Sequence, residues 1–356
     1  MSANKEKQSG EIPKKLRLLI VRLGAMGDIL HSMPAVTALR RAHPEWMIGW
    51  AIEPQWRGLF CASEGGPGQP EMPLVDQVHM VPAKRWAKSP LSLATIRDIR
   101  RVRRELQVME YDIAVDLQGA VRSAMVARWS KAGQVIGEAE PREFVAKWLF
   151  DERVPTRGEH VIEQSLEVAS AILQEQLPMT LPLLPRDSVA DAMAARIRQP
   201  FVLLSPGAGW GAKRWPAERY GNVAQRLAEA GYGVVINSAP AEEHLAQEIV
   251  KTSAGAAHAV TLDLPHLIAV TRRAALAIAG DTGPLHLACA LETPVVGIFG
   301  PTDPARNGPY HCRSRVLRHP ASVRDHSRRK EPEAGLLTIT PADVTDAALE
   351  LLREKC

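Results

Sequence analysis

The stretch Leu18-Leu-Ile-Val-Arg-Leu-Gly-Ala-Met-Gly-Asp-Ile-Leu-His-Ser-Met-Pro-Ala35 constrains this chain more than any other. A short apolar run ends in two glycines three apart, Gly24 and Gly27, and a lone carboxylate, Asp28, follows at once. The run reads as a buried strand and residues 29–40 as the helix after it. A strand that hands over to a helix in this way belongs to a parallel sheet. Its loop lies at the carboxyl edge, where open α/β folds place their chemistry. Gly24 and Gly27 leave room for a ligand to approach the backbone. Asp28 is then either a reactive carboxylate or a helix cap, a common job for Asp.

Two similar junctions lie in the second half. Phe201-Val-Leu-Leu-Ser-Pro-Gly-Ala-Gly-Trp-Gly-Ala-Lys213-Arg-Trp-Pro216 is a strand running into a glycine-rich loop that carries a lysine. Ala277-Ile-Ala-Gly-Asp281-Thr-Gly-Pro-Leu-His286 is another strand–loop–helix junction. Pro284 suits the first turn of a helix, and Asp281 or Thr282 suits its cap. Free amides at that helix start form an anion site, which the Lys213 point charge complements. Two phosphate-suited loops in one half, facing a carboxylate in the other, indicate a nucleotide-linked donor and a base.

Strands and helices alternate along the chain, the pattern of doubly wound α/β sheets. Strand candidates are 16–22, 47–52, 77–81, 113–116 and 134–136, then 201–205, 233–237, 275–279 and 294–298. At 356 residues there is enough chain for two domains with separate cores. The three prolines between Gln176 and Pro185 mark the link between them. We divide the chain into a disordered polar tail (1–15), a first α/β unit carrying the candidate base (16–180) and a second α/β unit carrying the two phosphate-suited loops (181–340). A final helix covers 341–356.

Composition excludes several function classes. The net charge of +4 is too slight to argue for nucleic acid. No apolar stretch approaches the ~18 residues of a membrane span, and the polar start lacks the apolar core of a signal peptide. The four cysteines, Cys61, Cys289, Cys312 and Cys356, have neither metal-ligand nor disulfide-framework spacing, which fits reduced thiols in a cytoplasmic protein. No D-x-D-type acidic cluster is present, so metal independence is expected and no cofactor is implied. A dinucleotide fingerprint and a phosphate-binding P-loop are also missing.

With these residues in view, the chain resembles the bacterial lipopolysaccharide heptosyltransferases, glycosyltransferase family 9, and is most similar to the first heptosyltransferase of that family. The matching pieces are Met26-Gly-Asp-Ile-Leu-His-Ser-Met-Pro-Ala35, Asp116-Leu-Gln-Gly119, Lys213-Arg-Trp-Pro216, Asp281-Thr-Gly-Pro-Leu-His286 and Gly300-Pro-Thr-Asp-Pro304, in the family's order. The resemblance implies a GT-B architecture, two Rossmann-like domains facing a cleft, with the last helix folding back on the first domain. It implies inverting, metal-independent transfer of heptose from ADP-heptose to the Kdo region of the inner core. The acceptor is then an acidic glycolipid, Kdo-lipid A, met at the inner face of the inner membrane by a cytoplasmic protein in transient surface contact. Another GT-B nucleotide-sugar enzyme (a different sugar transferase, an epimerase or a hydrolase) is the alternative.

The chemistry assigns roles to residues. A carboxylate titrates near ~4 and is ionised at neutral pH, and general-base help accelerates a reaction by roughly 10²–10⁴. Asp28 occupies the position of the family's proposed catalytic aspartate. Charge accumulates on the departing diphosphate, a task for preorganised donors; Lys213 and the amides of Thr282 and Gly283 are the candidates. Asp281 repels phosphate and is better suited to accepting loop amides or capping the helix. His286 is either a buried structural histidine or a donor contact. The family places a ribose-binding glutamate near Glu242 or Glu243, with Glu242 slightly favoured, and an adenine contact near the Leu262 backbone.

On the acceptor side, Lys84, Arg85 and Lys88 form a basic patch with Trp86 available to a sugar or acyl chain, and Arg122 and Arg142 join them. A second basic run, Arg97, Arg100, Arg101, Arg103 and Arg104, lies on an amphipathic helix and is as well explained as a solvated face. Asp116 and Gln118 end a strand on the same edge, suited to orienting the acceptor sugar or the loop of Asp28. Residues 63–70 and 319–335 read as flexible insertions.

Overall fold

The computed structural model describes residues 15–62, 71–325, 327 and 329–354. The expected polar tail, apart from Lys15, and the 63–70 insertion lie outside them. The described strands form two all-parallel six-stranded sheets, joined by helices in the alternating pattern of a doubly wound fold.

The first sheet starts with β1 (Arg17–Val21), which leads into α1 (Met26–Ala42) and β2 (Met47–Ile52). A 3-10 turn at Pro54–Leu59 precedes β3 (Gln77–Met80), α2 (Ala83–Lys88) and α3 (Leu93–Val108). Then come β4 (Ile113–Asp116), α4 (Val121–Trp129), β5 (Gln134–Glu138), β6 (Glu152–Val154) and α5 (Val161–Leu173). The second sheet follows α6 (Ser188–Ala194): β7 (Phe201–Ser205), α7 (Ala217–Glu229), β8 (Gly233–Asn237), α8 (Glu243–Thr252), β9 (Ala257–Val260) and α9 (Leu264–Arg273). It is completed by β10 (Leu276–Gly280), α10 (Gly283–Ala290), β11 (Val295–Phe299), α11 (Pro304–Asn307) and β12 (Ser314–Arg318), and the last element is α12 (Pro341–Arg353).

The strand orders are β3-β2-β1-β4-β5-β6 and β12-β11-β10-β7-β8-β9. Chain direction along each sheet therefore reverses between β1 and β4 and between β7 and β10, the switch points where open sheets leave a crevice at their carboxyl ends. Val21 pairs with Asp116 across the first, and Ala279 with Ser205 across the second. The loops singled out from sequence leave these four strands. Burial explains why their apolar runs were legible: Leu18 to Val21 are fully buried, as are all five residues of β10. Three strands carry no such run. β6, β9 and β12 are edge strands with polar or half-exposed residues, and edge positions neither require nor tolerate a continuous apolar stretch.

The last helix corrects an expectation. It packs on the second sheet's side, not on the first domain. Val344, Ala347, Ala348 and Leu351 join a core with Trp215, Tyr220, Leu227 and Ile298. The approach to α12 is pinned there: Trp215 Nε1 donates to the Ile339 carbonyl at 3.1 Å and Arg219 to the same oxygen at 2.6 Å. Arg315 on β12 then pairs with Glu350 at 3.0 Å and Glu354 at 2.5 Å. What joins the halves instead is α1 lying on α10. His160, before α5, adds a 3.1 Å bond to the Gly308 carbonyl, and Tyr310 donates to Glu163 on α5 at 2.9 Å.

Candidate active site between the two sheets

The N-terminal turns of α1 and α10 approach each other closely because glycine stands at both contacts. A Cβ on Gly27 would lie 2.5 Å from the His286 ring, and one on Gly283 would lie 2.6 Å from the Met26 sulfur. The room at Gly27 thus serves helix packing rather than a ligand, and that beside Gly24 is filled by Trp56.

Asp28 sits at the third position of α1 and does cap the helix start. Its Oδ2 accepts the Ala25 amide at 3.0 Å, closing the helix start. Its Oδ1 lies 3.1 Å from the Arg22 guanidinium. The Asp28 side chain remains 42% exposed against 14% for Arg22, so the carboxylate is the solvent-facing partner of the pair. Arg22, at the end of β1 and also bound to the Leu117 carbonyl, was missed from sequence. Its one signal was a lone charge closing an apolar run.

Across the cleft, Lys213 Nζ sits 2.5 Å from Asp281 Oδ2 and 4.4 Å from the centre of the Trp210 ring. Asp281 Oδ1 lies 3.1 Å from His286 Nε2. Asp281 therefore neither caps α10 nor binds loop amides, as had been expected; it holds the lysine and the histidine. Burial alone would raise its carboxyl, but the His286 hydrogen bond and charge, and then the Lys213 ammonium, hold it well below the usual range. Thr282 is the N-cap residue yet makes no side-chain cap, its hydroxyl donating to the Gly280 carbonyl at 3.2 Å. Pro284 has no N–H and the Leu285 amide donates to the Thr282 carbonyl at 3.1 Å, which leaves the Gly283 amide at the start of α10, with Lys213 beside it. His286 is buried and bonded to His31 Nε2 at 3.1 Å.

The two glutamates differ in direction. Glu242 Oε1 accepts the Ala208 amide at 3.2 Å, in the loop that leads to Lys213, while Glu243 is exposed and bonds only along its own helix to Gln247. Leu262 is half-buried in the loop after β9. The 319–335 insertion is not a loose loop where described: Ala212 donates to the Arg329 carbonyl and Glu333 to the Ala212 carbonyl, each at 3.1 Å. It is packed over the turn that presents Lys213.

The acceptor candidates stand apart from this cluster. Lys84, Arg85 and Lys88 lie on α2, after edge strand β3, and Arg85 is paired with Asp98. Arg122 opens α4 and Arg142 follows β5, both exposed at the same carboxyl edge of the sheet. Trp86 corrects an expectation: it is buried against Trp129 at 6.2 Å between ring centres and faces no ligand. On α3, Arg101 pairs with Glu105 at 2.7 Å, which favours the solvated-face reading there. Replacing Lys84 and Arg85 together with alanine should raise the acceptor KM and leave the donor KM unchanged in steady-state assays; equal damage to both would remove them from the acceptor site.

Gln118 braces the loop before Asp28, and Asp116 holds the turn that carries Gln118. Gln118 Oε1 accepts the Leu23 amide at 2.8 Å. Asp116 is buried and accepts from the Gln118 amide at 2.7 Å and the Ser123 hydroxyl at 2.8 Å. Its pKa is pushed up to about 6 by burial, which outweighs those hydrogen bonds. Folding therefore favours its protonated form. The stability this group adds is fully present below the unfolded value near ~4 and is lost as pH rises to about 6. In urea titrations, Asp116→Asn should flatten the decline in stability across that window; an unchanged slope would place the titration elsewhere.

Among the described residues, no group of three or more His, Cys, Asp or Glu is placed to hold a metal ion, and no helix is long and apolar enough to cross a membrane.

Comparison with known proteins identifies the family and the fold. The sequence profile of glycosyltransferase family 9 (heptosyltransferase) matches residues 99–336. Lipopolysaccharide heptosyltransferase 1 of Pseudomonas aeruginosa is 29% identical over 307 residues, covering 83% of this chain and 81% of its own. Its Escherichia coli namesake is 27% identical, covering 86% and 94%. Among solved structures, the E. coli heptosyltransferase WaaC with ADP-2-deoxy-2-fluoro heptose superposes with a TM-score of 0.76 at 24% identity, over 94% of this chain and 99% of that one. A family 9 glycosyltransferase from Veillonella parvula gives 0.80 at 22% identity, over 98% and 100%. At these identities the superpositions establish the GT-B fold.

Proposed function

The chain belongs to glycosyltransferase family 9 and is a glycosyltransferase, and from that premise we propose that it transfers heptose from ADP-heptose to the Kdo region of the lipopolysaccharide inner core, with inversion and without a metal. The observation that carries this reading is the face-to-face placement of two helix starts. One presents a half-exposed carboxylate, Asp28, and the other presents the Gly283 amide beside Lys213.

In the proposed reaction the acceptor hydroxyl gives its proton to the Asp28 carboxylate as its oxygen attacks the anomeric carbon. The carbon–oxygen bond to the diphosphate breaks on the opposite face, so configuration inverts. Lys213 exchanges Asp281 for the diphosphate, whose growing charge is met by the Thr282 and Gly283 amides. Glu242 is the ribose ligand and the Leu262 backbone the adenine contact; its direction toward the Lys213 loop supports Glu242 over Glu243. The first sheet and its helices then form the acceptor half and the second the donor half, meeting near residue 180. Basic residues Lys84, Arg85, Lys88, Arg122 and Arg142 take the phosphates and carboxylates of Kdo-lipid A. The protein works on the cytoplasmic side, touching the inner membrane through its substrate.

The test is ADP release from EDTA-treated enzyme with ADP-heptose and a deacylated Kdo-lipid A acceptor. Acceptor-dependent release that added Mg²⁺ leaves unchanged is expected. Release without acceptor would make the chain a hydrolase, and activity restored only by Mg²⁺ would end the metal-free mechanism.

A further inference from the structure

His31 lies one turn beyond Asp28 on α1, is buried, and has no part in the mechanism above. Its Nε2 is 3.1 Å from His286 Nδ1. Beyond it the chain of contacts continues through His286 Nε2 to Asp281 Oδ1 at 3.1 Å and from Asp281 Oδ2 to Lys213 at 2.5 Å. The His31 ring is held edge-on by two neighbours, 4.2 Å from the His286 centroid and 5.4 Å from that of His160. Burial, and then the neighbouring His286 and His160, push the His31 pKa well below its ordinary value, so the ring is neutral, with one donor and one acceptor nitrogen.

The chemistry of the contacts sets the direction of each bond. Ionised Asp281 only accepts, so His286 must carry a proton on Nε2. In its neutral form His286 offers a lone pair at Nδ1, which requires a donor: the Nε2–H of His31. We infer that His31 is a positioning residue for the donor site, fixing the tautomer and ring orientation of His286 across the boundary between the two halves so that Asp281 is shared between His286 and Lys213. Without His31, the other tautomer of His286 would leave Asp281 Oδ1 without its proton. Asp281 would then bind Lys213 alone and compete harder with a diphosphate for it. A residue on the acceptor half thereby controls affinity on the donor half.

This inference rests on the proposed donor chemistry, and its test separates the two. The variants are His31→Leu, which keeps bulk without a donor, and His31→Gln, whose amide reaches as far as Nε2. The first readout is the ¹⁵N signature of His286 in the free protein, which requires no substrate. Wild type should show the Nε2–H form, His31→Leu a loss of it, and His31→Gln its return. The second is ADP affinity by calorimetry. His31→Leu should weaken binding roughly tenfold, the scale of one hydrogen bond, with His31→Gln close to wild type. Unchanged tautomer and affinity in His31→Leu, or equal losses in both variants, would overturn the inference and leave His31 as packing. If wild type binds no ADP, the donor reading fails, and the tautomer result alone decides whether His31 positions His286.

Discussion

Asp28→Asn should lower acceptor-dependent turnover by roughly 10²–10⁴, the usual contribution of a general base, while ADP binding and the melting temperature stay near wild type. The choice of asparagine follows from the geometry. Asp28 Oδ2 accepts the Ala25 amide at 3.0 Å, and an amide oxygen can keep that bond while abolishing basicity. Asp28→Ala removes both, so it should show the same kinetic loss together with about 1 kcal/mol of lost stability, the scale of a helix-start hydrogen bond. The comparison divides catalysis from capping within one side chain. Turnover retained in Asp28→Asn would move the base elsewhere and leave Asp28 a cap held in place by Arg22.

The second large effect is expected at Lys213. Its side chain is 13% exposed and that of Asp281 6%, so the pair is buried, and truncating one partner leaves a charge without its full compensation. Lys213→Met should destabilise the protein by roughly 3–5 kcal/mol and lower kcat/KM by roughly 10²–10³ through the lost diphosphate donor. Adding Asp281→Asn to Lys213→Met removes the stranded charge. That double variant should regain most of the melting temperature and none of the turnover. Recovery of both would show Lys213 to be structural, and recovery of neither would place the stabilising role of Asp281 with His286 alone. The acid side follows the same logic: because the folded-state pKa of Asp281 is depressed, its contribution is present above the unfolded value near ~4 and is lost as pH falls below it. Chemical-denaturant midpoints of wild type should therefore drop in acid more steeply than those of the double variant.

Much of this molecule follows from the order of residues alone. β1, β4, β7 and β10 are buried on both faces, so each had to be an apolar run, and each had to end where a sheet gives way to a loop. That local rule made the two sheets readable and put Asp28, Lys213, Thr282 and Gly283 at the carboxyl edges. Where the local rule fails, the sequence was silent or misleading. The edge strands β6, β9 and β12 have one face and one side in water and needed no such run. Trp86 sits in a basic stretch, but its ring is large enough to be worth burying, and the core took it. α12 carries an apolar stripe that fits many surfaces. Its partner was chosen by Trp215, Arg219 and Arg315, which lie more than twenty residues away in sequence.

The site divides the same way. Which residue types stand at the carboxyl edges is a property of the sequence, because strand burial and loop chemistry act over a few residues. Whom they meet was decided only in three dimensions. Arg22 behind Asp28, Glu242 rather than Glu243 toward the Lys213 loop, Asp281 shared between Lys213 and His286, and His31 reaching His286 across 255 positions all depend on side-chain direction. Direction comes from how α1 and α10 pack, and that packing rests on Gly27 and Gly283 having no side chain to hold the helices apart.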